Sequence, residues 1–271
     1  MTRWVLAVLA AGLALGFAVH AEEGAASDLA LAAPPILMNP GPEYGDDTRL
    51  FQGIPGIERA PNGRLWATWY AGGDTEGPLN YCALATSGDD GKTWSSVQIV
   101  IDPPGDVRAF DPCLWHDPSG RLWWFWAQGF SHWDGRAGVW AITTGNSGDA
   151  QPAWSEPRRI CDGIMMNKPT VLRSGEWLLP VSIWGFPPNV MKEEYARDIT
   201  GSTGSNLWSS RDQGASFEFL GGSDVPERAC DEHMMVERND GSFWVLVRTR
   251  TGLGEAVSTD GGKTWTERAE A

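Results

Sequence analysis

Four segments of this chain share one plan: an apolar stretch, a glycine turn, and a second apolar stretch opening with an aromatic residue. Residues 54–57 lead to Pro61-Asn62-Gly63-Arg64-Leu65-Trp66, and residues 111–114 to Pro118-Ser119-Gly120-Arg121-Leu122-Trp123. Residues 168–171 lead to Ser174-Gly175-Glu176-Trp177, and residues 232–235 to Asn239-Asp240-Gly241-Ser242-Phe243-Trp244. The turn glycines Gly63, Gly120, Gly175 and Gly241 stand 57, 55 and 66 residues apart. A fixed period of this length restricts the chain to architectures that stack one supersecondary unit on the next. The Asn-Gly, Ser-Gly and Asp-Gly pairs supply the positive φ that a hairpin needs. The strand after each turn is apolar on both sides, as in Leu122-Trp123-Trp124-Phe125-Trp126, which predicts burial between two neighbouring sheets.

A second motif recurs in phase with the first. Ser87-Gly88-Asp89-Asp90-Gly91-Lys92-Thr93-Trp94, Ser210-Arg211-Asp212-Gln213-Gly214-Ala215-Ser216-Phe217 and Ser258-Thr259-Asp260-Gly261-Gly262-Lys263-Thr264-Trp265 are three copies, and a degraded fourth lies between Thr144 and Trp154. Ser and Asp side chains bond backbone N–H groups of a turn, Gly takes the left-handed conformation, and the aromatic residue folds into a seam between sheets. These acidic residues therefore read as structural. No metal is expected, because the spacing lacks the terminal Glu of a calcium loop.

Sixteen Trp, 33 Gly and 18 Pro fit many short strands joined by tight turns. A four-stranded unit of 50–60 residues, repeated, reads as a propeller blade. The formal charge of −14 repels nucleic acid and anionic membranes, so neither is an expected partner. Cys82, Cys113, Cys161 and Cys230 match no zinc spacing, and either buried thiols or two bridges remain open. Arg3, the apolar run of residues 4–19 and the small residues Ala18 and Ala21 read as a signal peptide over 1–21, cleaved after Ala21. The product is expected to be secreted or periplasmic, with a lead-in segment over 22–48 and the propeller over 49–271.

The boxes, Ser-x-Asp-x-Gly-x-Thr-Trp, resemble those of the sialidase superfamily, and the resemblance implies an all-β, six-bladed propeller. Four blade starts are visible, so the propeller is expected to be truncated to about four blades. The resemblance places an active site where the innermost strands begin, opposite the boxes. The residues there are Gln52, Gly53, Asp111, Asn167, Lys168, Asp231, Glu232 and His233. It further implies that Glu232 is the general base for a tyrosine nucleophile and that Arg248 holds a substrate carboxylate, with Arg250 as a second possibility. Asp74, in the Gly-rich stretch Gly72-Gly73-Asp74-Thr75-Glu76-Gly77, takes the place of the acid/base aspartate, with Glu76 as a substitute. Asp111, Lys168 and His233 join the substrate-binding set.

Two departures from the family stand out. Gly53-Ile54-Pro55 replaces its Arg-Ile-Pro, leaving Arg49 as a remote stand-in for that Arg, and no Tyr follows Arg248. The chain as given is therefore expected to be inactive on sialosides. The implied function is an exo-glycosidase acting on a terminal acidic sugar of a glycan, without cofactor. The alternatives are a non-catalytic carbohydrate-binding propeller, or a related glycosidase or lyase acting on uronate-containing polysaccharide. Trp69, Trp126, Trp133 and Trp184 are the candidate sugar-stacking faces.

Overall fold

The computed structural model describes residues 29–130, 135–184, 201, 204–230 and 232–271. The signal segment, Trp133 and Asp231 lie outside them. The described residues form four antiparallel sheets and no α-helix. None of the described helices is long and apolar enough to cross a membrane.

Each sheet is one blade of four consecutive strands. The first contains β2 (Gln52–Arg59), β3 (Leu65–Ala71), β4 (Tyr81–Ser87) and β5 (Ile99–Ile101). The second contains β6 (Arg108–His116), β7 (Leu122–Gly129), β8 (Gly138–Thr144) and β9 (Arg158–Asp162). The third runs from β10 (Thr170–Val171) through β11 (Trp177–Ile183) and β12 (Gly204–Ser210) to β13 (Glu218–Ser223). The fourth runs from β14 (Met234–Glu237) through β15 (Phe243–Arg248) and β16 (Leu253–Ser258) to β17 (Thr266–Arg268). In the first blade β1 (Ile36–Met38), from the lead-in segment, adds a fifth strand outside β5, in the order β1-β5-β4-β3-β2.

The core lies in the seams between blades, as the doubly apolar strands require. Trp66, Leu84, Leu114, Trp124, Trp126 and Ile142 fill the seam between the first two blades. Trp115, Trp123, Phe125, Trp177, Leu179 and Trp208 fill the second, and Leu178, Leu207, Val245 and Val247 the third. Burial follows position in the arc. Every residue of β7 is buried, because its blade is covered on both faces. In β3 and β15 buried and partly exposed residues alternate, because each outer blade has one covered face. Among the described residues no strand of the fourth blade shares a hydrophobic cluster with the first, though Cys230, in the approach to β14, packs against the first.

Each box closes on itself. Ser87 Oγ donates to Asp89 Oδ1 at 2.8 Å, and Asp89 accepts Thr93 N–H at 2.9 Å and Thr93 Oγ1 at 2.7 Å. Asp212 and Asp260 repeat the clasp with Ser216 and Thr264. In the degraded copy Thr144 Oγ1 accepts Asn146 N–H at 3.1 Å, and Trp154 still packs edge-on to Trp66. Every box follows the third strand of its blade, so all lie at the end where first strands finish.

Candidate functional site

The opposite end of each blade, where first strands begin and second strands finish, holds the convergent chemistry. Two local devices shape it. In β2 the pairing register shifts between Gly53 and Gly56, and in β6 between Phe110 and Cys113. The residue at each shift precedes a proline and is left-handed, Ile54 with φ 46° and Asp111 with φ 48°. A β-bulge re-aims the side chain it carries. At Asp111 it turns a carboxyl toward the propeller axis.

Asp111 there lines a cavity of about 260 Å³ shared with Tyr70 and Glu76 from the first blade, Arg108 from its own, and Glu232 and Arg248 from the fourth. Asp111 is 5% exposed, and burial pushes its carboxyl up to about 7, with Glu76 and Glu232 adding to the rise and Arg108 opposing it. Arg248 Nη1 donates to Glu232 Oε1 at 2.6 Å, a charge-assisted hydrogen bond between the end of β15 and the approach to β14. Asn167 holds the backbone there, its Nδ2 donating to His233 O at 2.9 Å. Tyr70 Oη donates to Glu76 Oε1. Burial raises the Tyr70 phenol above its ordinary range, and the Glu76 and Asp111 charges add to that.

The other expected site residues lie elsewhere. Asp74 is exposed on its loop and does not line the cavity; Glu76, two residues on, does. Lys168 reaches the opposite end, bonding Glu58 and donating to Ile57 O at 3.3 Å. Glu58 also faces His116, whose Nδ1 is 3.5 Å away. His233 is 2% exposed and sets Nε2 against Asn206 O at 2.8 Å, inside the blade core. Glu232 and His233 are neighbours just before β14, yet Glu232 lines the cavity and His233 does not. Arg250 lies past the end of β15 and approaches Glu227 at 4.0 Å. Arg49 is bonded to Asp46 and stacks over Trp69 on the open face of the first blade. Of the tryptophans, Trp184 lines the cavity and Trp126 is wholly buried.

Sequence reasoning missed Arg108, Tyr70 and Phe110 as cavity residues. For Arg108 a signal existed: it stands three residues before Asp111 at a blade start. A larger groove of about 660 Å³ lies on the open face of the first blade, between Trp69 and Trp94. Its cation, Arg49, is already bonded to Asp46, so that groove brings together no catalytic set. Among the described residues no group of His, Cys, Asp and Glu is placed to hold a metal. Cys82, Cys113 and Cys161 are buried free thiols, so the bridge alternative has no support there.

Comparison with solved structures places this geometry in a known fold. A protein of unknown function from Dyadobacter fermentans superposes with a TM-score of 0.60 at 18% identity, over 87% of this chain and 71% of that one. The Hadza microbial sialidase Hz136 gives 0.59 at 18%, over 83% and 47%. A mutant of Trypanosoma rangeli sialidase displaying trans-sialidase activity gives 0.57 at 20%, over 80% and 37%. The chain thus spans less than half the length of these two sialidases. Comparison with curated proteins finds no match. The BNR repeat-like domain matches residues 63–271, and with its phased boxes and blades the chain belongs to that family, on a sialidase-type fold.

Proposed function

We propose that the Asp111–Glu232–Arg248 cavity binds a terminal acidic sugar of a glycan and hydrolyses its glycosidic bond, in an exported protein. The observation that carries this reading is the convergence of carboxylates and guanidinium groups from three blades into one cavity opposite the boxes. Asp111 is the proton donor toward the glycosidic oxygen, since a buried carboxyl raised to about 7 keeps its proton in a substantial share of molecules at neutral pH. Glu232, oriented by Arg248, supplies the second carboxylate, acting as base or as stabiliser of positive charge at the sugar carbon. Trp184 offers an apolar wall. The solved sialidases that share this fold support a carbohydrate ligand.

A second reading has one observation in its favour. Glu232 is already committed to Arg248, and a non-catalytic carbohydrate-binding site needs no freer base. The test measures binding and turnover together. The purified chain is assayed with fluorogenic sialosides and glucuronides and titrated with the matching free sugars. Turnover abolished by Glu232→Gln and by Asp111→Asn supports the hydrolase. Binding without turnover supports the binding module. Absence of both overturns the glycan reading.

A further inference from the structure

Arg108 opens β6 and is 2% exposed, yet among the described residues its guanidinium makes no salt bridge, and its Nε–H is buried without a hydrogen-bond partner. Three other well-covered guanidinium groups differ in having a charge partner. Arg49, Arg159 and Arg228 each meet a carboxylate, at Asp46, Asp162 and Asp224. Burying a guanidinium without an ion pair is costly. What surrounds Arg108 is instead aromatic, with Phe110 at 4.2 Å and Tyr70 at 5.5 Å from its Cζ to the ring centroids. Such faces fix the plane of the guanidinium without neutralising it. Glu76 is engaged by the Tyr70 phenol and Glu232 by Arg248. Asp111 and Glu76 favour the Arg108 charge through space, but neither forms an ion pair with it. A fixed, dehydrated guanidinium lining a cavity is a receptor for a planar or tetrahedral anion.

The cavity bounds what brings that anion. At about 260 Å³ it is smaller than the ~300–1,000 Å³ of drug-sized sites, which limits it to one sugar ring. We propose that Arg108 is the specificity-determining residue of this site, holding the carboxylate or sulfate ester of a single sugar ring. The proposal rests on the glycan reading above and assigns its selectivity to a residue outside the Glu232–Arg248 pair.

The test is equilibrium binding, by calorimetry and ligand-observed NMR, of glucose, glucuronate and glucose 6-sulfate to the full chain and to its Arg108→Met and Arg108→Lys variants. The wild type is expected to prefer one anionic sugar over glucose by about tenfold or more, the equivalent of one charged contact. Whether that sugar is glucuronate or glucose 6-sulfate separates carboxylate from sulfate. Arg108→Met, shown to be folded by a cooperative melt, is expected to erase the preference, so that glucose and the anionic sugar bind alike. Should Arg108→Met not fold, Arg108→Lys decides. It is expected to narrow the preference for the anionic sugar over glucose about tenfold, because an ammonium cannot make the two-pronged contact. An anionic preference that survives either folded variant overturns the proposal. Equal binding of glucose and anionic sugars by the wild type also overturns it while leaving the glycan reading intact. Failure of all three sugars to bind overturns both.

Discussion

Ile54 and Asp111 hold equivalent places in successive blades and share one backbone conformation, with φ of 46° and 48°, each directly before a proline. Left-handed backbone costs an L-residue about 1–2 kcal/mol, and it is least tolerable for a β-branched side chain. Ile54→Gly relieves that strain while losing a half-buried side chain. The two effects nearly cancel, and the expected net cost in chemical denaturation is below about 1.5 kcal/mol, against the 2–5 of an ordinary core truncation. A cost above about 3 kcal/mol would mean that the bulge stores no strain.

Asp111 makes stability depend on pH in an unusual direction. Its carboxyl is raised from an unfolded value near 4 to about 7, so the native state holds the extra proton. Its contribution is fully present below about pH 4 and is lost as pH rises through about 7, by at most on the order of 4 kcal/mol. The box aspartates Asp89 and Asp212 are lowered to about 2 by hydrogen bonds from Thr93 and Ser216, so their contribution is lost as pH falls from 4 through 2. Stability is therefore expected to peak near pH 4–5. Asp111→Asn should flatten the decline between pH 4 and 7. Melting curves across pH check this, and an unchanged slope in Asp111→Asn would count against a neutral native carboxyl.

The Glu232–Arg248 pair predicts a split between binding and turnover. Arg248→Ala leaves Glu232 without its partner and is expected to weaken an acidic sugar by about 2–5 kcal/mol. Glu232→Gln keeps a hydrogen-bond acceptor for Arg248, so binding should change by less than about tenfold while hydrolysis falls by a hundredfold or more. Loss of binding in both variants, in equal measure, would make the pair a structural staple.

Two turn glycines give a matched test of seam packing. Gly214 has φ +81°, and a Cβ there would lie 2.7 Å from both Trp123 and Trp177. Gly175 has φ +87° with open space around it. Gly175→Ala should cost about 1–2 kcal/mol for conformation alone, and Gly214→Ala a further 1–3 for the clash. Equal losses in urea denaturation would show that the second seam is loose at that point.

The blades were legible because their signals are local. Each glycine turn and each box lies within eight residues, and the doubly apolar strands foretell the seams. The site was legible only in part. Asp111, Glu232 and Arg248 could be placed from blade position, but Asp74 and Glu76 differ by two residues of a Gly-rich loop whose path no periodicity fixes. Lys168 was misplaced because its blade starts late: β10 holds only Thr170 and Val171, so Lys168 sits well along the axis, beside Glu58. Arg250 was the second possibility beside Arg248, but β15 ends at Arg248, and the alternation that would put both on one face ends with it.

The outermost strand of the first blade sets a schedule for synthesis. Ile36 pairs with Ile101, 65 residues later, whereas among the described strands every other pairing joins immediate neighbours in sequence. At ~5–20 residues per second, β1 leaves the ribosome roughly 3–13 seconds before its partner exists. During that interval the segment Ile36–Met38 is an unpaired apolar strand, open to any exposed sheet edge nearby. The nascent chain is therefore most vulnerable to mispairing before its second blade is made, and a chaperone that shields its first hundred residues would act at the step where the most is at stake.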